Sequence, residues 1–236
     1  LRHSDPLAVT LILTDLATAL LRHDRSFTHP ATAWILHHNL VSRDDSPTTW
    51  HWFFCKSGLV TFTREQFLDG LRLHIGSMTQ QKYAERSLES DFQVLVRMYQ
   101  DAQGEGGADN LFYPSAFGAL GLIQKNAYQN RYRRVTNPPV PPAVFLYCLH
   151  DFFSRVFPGA AVIDLELVRE SSGSPFQSFG MSLSAFFEML RGASASLKKV
   201  AKVSHTAGMH TISFGKTKPE DLLGLVYADD VLENWI

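Results

Sequence analysis

Cysteine is scarce in this chain: Cys55 and Cys148 are the only two in 236 residues. That excludes a disulfide-built scaffold and a four-cysteine zinc site. Each lies in an apolar run, WFFCKSG or FLYCLHD, where a buried free thiol is expected. Free thiols with no evident leader segment favour a reducing cytoplasm. Long apolar runs are also missing. The longest, PAVFLYCL, falls far short of the ~18 residues that suggest a membrane span. Neither charge sign dominates, since 22 Lys plus Arg against 23 Asp plus Glu leave a net charge of −1. A uniformly basic coat for nucleic acid is excluded, but a local basic face is not. Several catalytic signatures are absent as well. Without a P-loop or GxGxxG an ATPase or dinucleotide enzyme is excluded, and without HExxH a zinc hydrolase of that type. A nucleophilic serine or cysteine has no support, because GxSxG is missing and neither thiol sits in basic surroundings.

What is present is a globular composition, 45% apolar and 19% charged, long enough for one large domain or two small ones. The chain opens on Leu1 rather than Met, as an internal piece of a longer protein would. Apolar spacing predicts helices over 10–22 and 29–43, the second around Ala31, Trp34, Ile35 and His38 with Pro30 in its first turn. Thr48 or Thr49 is placed to cap a short helix, TTWHWFFCK, ended by Gly58. Thr63 followed by Gln66 is a capping-box pattern opening a helix to about Ile75. Another helix is expected over 87–99, then a surface loop, GEGGADN. The segment NPPVPP, 137–142, reads as a stiff extended spacer. It divides a mainly helical part, 1–136, with a helix-turn-helix-like character, from a C-terminal part, 143–236.

The second part reads helix (143–157), short strand (160–164), helix (165–170), loop SSGSPFQSFG and a helix from Leu183 to Gly192 capped by Ser182 or Ser184. Two strands, 197–204 and 209–214, follow across a turn ending in Gly208. That order is winged-helix-like. The fold class expected is therefore mainly α with small β. A short helix over 219–227 and an acidic tail close the chain.

Charge is uneven along the sequence. Between Asn110 and His150 there is no acidic residue, while Lys125, Arg131, Arg133 and Arg134 are basic. Met189 to Pro219 is likewise free of acids and carries Arg191, Lys198, Lys199, Lys202, Lys216 and Lys218. Such clusters gain affinity for DNA by displacing condensed counterions, or they are solvated faces that pair with the acidic tail. Base reading would fall to Gln177, Ser182, Ser184 or Arg191. A phosphodiesterase needs carboxylates around a divalent ion and a base to orient water. Asp44, Asp45 and His38 are the residues placed for that with Mg2+ or Mn2+, although Asp-Asp before Ser-Pro is also the composition of a helix-end turn. The aromatics Trp34, Trp50, Trp52, Phe53 and Phe54 fit core packing better than a stacking platform.

The blocks HPATAWILHHNL, TTWHWFF and FTREQFLDGL resemble the bacterial domain-of-unknown-function family 4007. Its members carry D-P-A-T-x-W-x-L-H, then T-T-W-x-W-F-F-N, then a Phe-Thr-Arg-Glu-type helix start. LESDFQVLVRMY, LFYPSAFGALGLI and SHTAGMHTI follow in the family's order. His29, Cys55 and His205 stand where the family has Asp, Asn and Asp. The best-known members are SspB-type proteins of single-strand DNA phosphorothioation systems. The resemblance implies a DNA-binding component that nicks DNA so that sulfur can replace a non-bridging phosphate oxygen. It implies a cysteine desulfurase, an ATPase and an ATP-pyrophosphatase-like enzyme as partners beside DNA. It carries over no catalytic residue set. A non-catalytic DNA-binding scaffold and a protein adaptor remain the alternatives.

Overall fold

The computed structural model describes residues 12–43, 45–79, 83–100, 115, 117–126, 128–196, 201–206, 209–215 and 218–228. Helix α1 (Asp15–His23) begins where the Thr14 hydroxyl accepts from the Ala17 N–H at 3.1 Å. Helix α2 (Pro30–Val41) starts on a proline, whose missing N–H costs nothing in a first turn. Helix α3 (Thr48–Cys55) has Pro47 as its N-cap and no side-chain cap. Thr49 donates instead to Asp91 Oδ2 at 2.6 Å, so this threonine ties two helices together rather than starting one. Helix α4 (Arg64–Met78) opens on the expected capping box, with Thr63 and Gln66 each satisfying the other's backbone N–H. Helix α5 (Glu85–Tyr99) buries Leu88, Phe92, Leu95, Val96 and Tyr99 along one stripe.

Three strands not anticipated from the sequence make up the first sheet. Strand β1 (Thr61–Phe62), strand β2 (Ile123–Asn126) and strand β3 (Arg131–Arg134) form an antiparallel sheet in the order β1-β3-β2. The proline segment then leads into α6 (Pro142–Val156), the most buried helix, which packs against α2 and the helices that follow it. The segment is not a free spacer, since Pro138 and Val140 are buried.

Strand β4 (Ile163–Asp164), helix α7 (Leu165–Glu170), helix α8 (Pro175–Ser178), helix α9 (Leu183–Ser196), strand β5 (Ala201–Thr206) and strand β6 (Met209–Phe214) complete the second half, before α10 (Pro219–Val226). The second sheet is also antiparallel, ordered β4-β6-β5. Helix α8 lies inside the segment expected as loop. Helix α9 runs past Gly192, which a helix interior tolerates at about 1 kcal/mol. The architecture is mainly helical with small antiparallel sheets, as expected. Buried side chains on both sides of the 137–142 segment belong to one cluster, with one antiparallel sheet on each side of it. Tyr227 closes the ends together: its hydroxyl lies 2.8 Å from Thr32 Oγ1 and its ring stacks on His23. Among the described residues no helix is long and apolar enough to cross a membrane.

Candidate functional site

Three places carry the residues singled out from the sequence. The first is the C-terminal half of α2. Ala31, Trp34, Ile35 and His38 share one helical face, and all are buried. His37 is buried too. Burial drives its imidazole down to about 3, so it is neutral. Its Nε2, 3.1 Å from the Ser178 carbonyl, must then carry the proton and donate. Its Nδ1 accepts at 2.8 Å from Tyr99, whose phenol burial holds well above its ordinary value. His38 Nδ1 pairs with Ser178 Oγ at 2.9 Å, and its Nε2 is buried without a partner. Burial, followed by the nearby Arg155, His37 and Arg43, holds this imidazole well below its ordinary value.

Asp45 sits in the exposed turn after α2, beside the Ser46 hydroxyl that accepts from the Arg43 N–H at 3.0 Å. Asp44 lies outside the described residues. His38 does not fit the magnesium or manganese site expected with them. Its ring is sealed among Phe179 and Ser178, and a hard cation of this kind takes oxygen ligands. Among the described residues no group of three or more His, Cys, Asp or Glu is placed to hold a metal. Cys55 and Cys148 are buried free thiols, as expected, and burial pushes Cys55 up to about 12. Trp34, Trp52, Phe53 and Phe54 are core residues, likewise as expected.

The second place is the β2–β3 hairpin. Strand alternation turns Arg131 and Arg133 to solvent and Tyr132 and Arg134 inward. Arg133 bonds Gln124 Oε1 at 2.7 Å, a neutral partner that leaves its charge uncompensated. Neither Arg131 nor Arg133 has a carboxylate partner among the described residues. Tyr128, in the turn, is 97% exposed. It was not singled out from the sequence, although an aromatic three residues before the first of a cluster of arginines is the signal that finds it. Arg134 departs from its expected place on the DNA-facing surface. It is 8% exposed, donates to the carbonyls of Gln177 at 2.7 Å and Phe53 at 3.3 Å, and lies 5.1 Å over the Phe54 ring. Burial lowers its guanidinium to about 10, still charged at neutral pH. It is a strut inside the fold, so its cation is unavailable to phosphate.

The third place is α9 with the β5–β6 hairpin. Ser182, not Ser184, caps α9 by accepting from the Ala185 N–H at 3.3 Å. Arg191 and Lys202 are exposed, whereas Lys198, Lys199 and Lys216 lie outside the described residues. Gln177 is not free to read bases, because its side chain bonds the Gly173 N–H and the Arg169 carbonyl. A groove of about 560 Å3 runs between the proline segment and α9, walled by Trp34, Met181 and Met189 with Glu188 at its edge.

No curated protein sequence matches the chain. Among solved structures, an SspB crystal structure aligns with a TM-score of 0.73 at 22% identity. A magnesium ion-bound SspB crystal structure aligns with a TM-score of 0.73 at 21% identity. Each match covers 90% of this chain but 62% of the longer relative. At that identity the likeness shows the fold. The family model described as "Protein of unknown function (DUF4007)" matches residues 2–228, and the chain belongs to that family.

Proposed function

We propose that this chain is the DNA-holding part of an SspB-type bacterial DNA phosphorothioation system. Arg131 and Arg133 of the β2–β3 hairpin grip backbone phosphates, and Tyr128 at its tip stacks on a base. The observation that carries the reading is this exposed hairpin, whose two arginines have no carboxylate neighbour among the described residues. Connectivity adds support. Apart from the extra single turn α8, the order α6-β4-α7-α9-β5-β6, with β4 paired to β6, matches the order expected of a winged helix. Helix α9 is then the element offered to a groove, and β5–β6 is the wing. Arg191, Lys202, Lys198 and Lys199 supply its phosphate contacts. The family likeness supplies the setting: a cysteine desulfurase, an ATPase and an ATP-pyrophosphatase-like enzyme act on the DNA this chain holds.

The test is the affinity for a labelled DNA duplex measured across a salt series. Each phosphate contact contributes about 0.9 to the magnitude of the slope of log K against log salt. Arg131→Ala with Arg133→Ala is expected to lower that magnitude by about 2. An unchanged slope in a folded double variant overturns the assignment. Absence of DNA binding by the parent chain favours the adaptor alternative instead.

A second reading, strand nicking, is favoured by the relative described as magnesium ion-bound. It rests on Asp44 and Asp45 without His38. Relaxation of supercoiled plasmid by this chain in Mg2+ or Mn2+, lost on Asp45→Asn, would support it. Equal nicking by parent and Asp45→Asn removes the assignment.

A further inference from the structure

The row of the second sheet that faces the helices pairs Ala201 with Phe214, Val203 with Ile212 and His205 with His210. The first two pairs belong to the core or pack against it. The third breaks the apolar pattern with two imidazoles on directly opposed residues, where side chains are held face to face. Their rings are 4.1 Å apart, and His210 rests on Phe187 of α9 at 4.6 Å. The two Nδ1 atoms are 3.1 Å apart, a hydrogen bond in which one ring donates and the other accepts, on the exposed end of the hairpin.

That separation is the span of a metal chelate. With Zn–N bonds of about 2.0–2.1 Å, two ligand nitrogens stand roughly 2.9 Å apart at a right angle and roughly 3.3 Å apart at the tetrahedral angle. The observed distance falls between the two. The hairpin holds both ligands in register before any ion arrives, and the contact of His210 with Phe187 reduces the side-chain freedom to be lost. Each partner is at a defined position of a ladder, which makes this a more rigid pair than two histidines on a loop.

We propose that His205 and His210 form a two-imidazole seat for a borderline divalent transition ion, Zn2+, Co2+, Ni2+ or Cu2+, at the end of the β5–β6 hairpin. Imidazole nitrogen suits these ions and not magnesium, which takes oxygen ligands. Two protein ligands leave coordination positions for water or for an anionic oxygen of a bound partner. The inference stands on the hairpin alone and is independent of the DNA reading.

The test is calorimetric titration of the whole chain with Zn2+ and, separately, Mg2+, on the parent and on His205→Gln and His210→Gln. Glutamine keeps a hydrogen-bonding side chain of similar reach, and circular dichroism checks the fold of each variant. The parent is expected to hold one Zn2+ that each single variant loses by at least about tenfold, the lower end of what losing even an outer-shell partner costs. Mg2+ is expected to give no saturable heat that depends on either histidine. Electron paramagnetic resonance of added Cu2+ on the unaltered chain gives a second readout: two imidazole nitrogens on one copper support the seat. Zn2+ binding equal in parent and variants, or copper bound to one imidazole, overturns it.

Discussion

The two sheets are built to one plan and filled differently. Each is a hairpin whose second strand also takes a two-residue strand from an earlier part of the chain: β1 on β3, and β4 on β6. In the first sheet the inward row includes a charged residue, Arg134, and the outward row carries two more arginines. In the second the inward row is apolar until it ends in the histidine pair. The shared topology therefore says little about use. Arg134 makes the first sheet an anchored platform, because its guanidinium reaches both α3 and α8. The second sheet is anchored by ordinary apolar burial around Ile212, and the end of its row is left to the two imidazoles.

Truncating each anchor should hurt for a different reason, and this gives the largest expected effects. Ile212 has no exposed surface, so Ile212→Ala should cost about 4 kcal/mol in denaturant unfolding, and Ile212→Val about 1 kcal/mol. Arg134→Ala should cost about 3 kcal/mol, since it strips a charged donor from two buried carbonyls. The discriminating variant is Arg134→Lys. A compact ammonium cannot reproduce a planar fork spanning the Phe53 and Gln177 carbonyls while covering the Phe54 ring. Its cost should stay close to that of alanine. A neutral Arg134→Lys would mean that charge alone, and not the fork, holds the first sheet.

Acid should loosen the anchored side next. Helix α8 receives both Arg134, at Gln177, and His37, at Ser178. Burial holds the His37 imidazole at about 3 in the fold, against about 6.5 for a free imidazole. The unfolded chain therefore takes up a proton below 6.5 that the folded chain refuses. Stability from this group is fully present above 6.5 and is lost as pH falls toward 3. Between pH 7 and pH 5 the loss from His37 is about 2 kcal/mol, and His38 acts in the same direction. Denaturant midpoints at the two pH values measure it. His37→Gln keeps an amide able to donate to Ser178 and should flatten the pH dependence even if it lowers stability overall. A slope unchanged by that variant would place the acid sensitivity elsewhere.

What could be read in the sequence was what local patterns encode. The capping box of Thr63 and Gln66 and the spacing of Ala31, Trp34, Ile35 and His38 both depend on near neighbours. That spacing already put His38 on the buried stripe, against its use as a metal ligand. The β2–β3 hairpin is hard to see because its strands are polar on most positions and its turn uses Asn130 at φ 47° in place of glycine. Helix α8 is a single turn led by Pro175 in a segment rich in serine and glycine, the composition of a loop. Arg134 cannot be told from Arg133 by composition. Only the register of β3 on β2 decides which of them is inside, and register is set by long-range pairing.

A milder effect tests how far the second half depends on local signals. Ser182 caps α9 through the Ala185 N–H, and Ser182→Ala should cost about 1 kcal/mol. Asparagine or aspartate at that position should restore most of it. Equal loss with aspartate would mean that the Ser182 backbone, which donates to Asn137 Oδ1 at 2.6 Å, matters more than its hydroxyl.

The smallest expected effect on stability is the one that separates neighbouring arginines. Arg133 points to solvent and its guanidinium bonds the Gln124 side chain, so Arg133→Ala should change unfolding by less than about 0.5 kcal/mol. The same substitution should lower the magnitude of the salt slope for DNA by about 1. Arg134→Lys should do the reverse, with a large loss of stability and a slope left intact at a temperature where the variant is folded. One residue apart in the chain, the two side chains lie on opposite faces of one strand. A double dissociation of stability from salt dependence is therefore what the β3 register requires. If Arg133→Ala leaves the slope unchanged while Arg134→Lys lowers it, the outward face of the first sheet is not where phosphate binds.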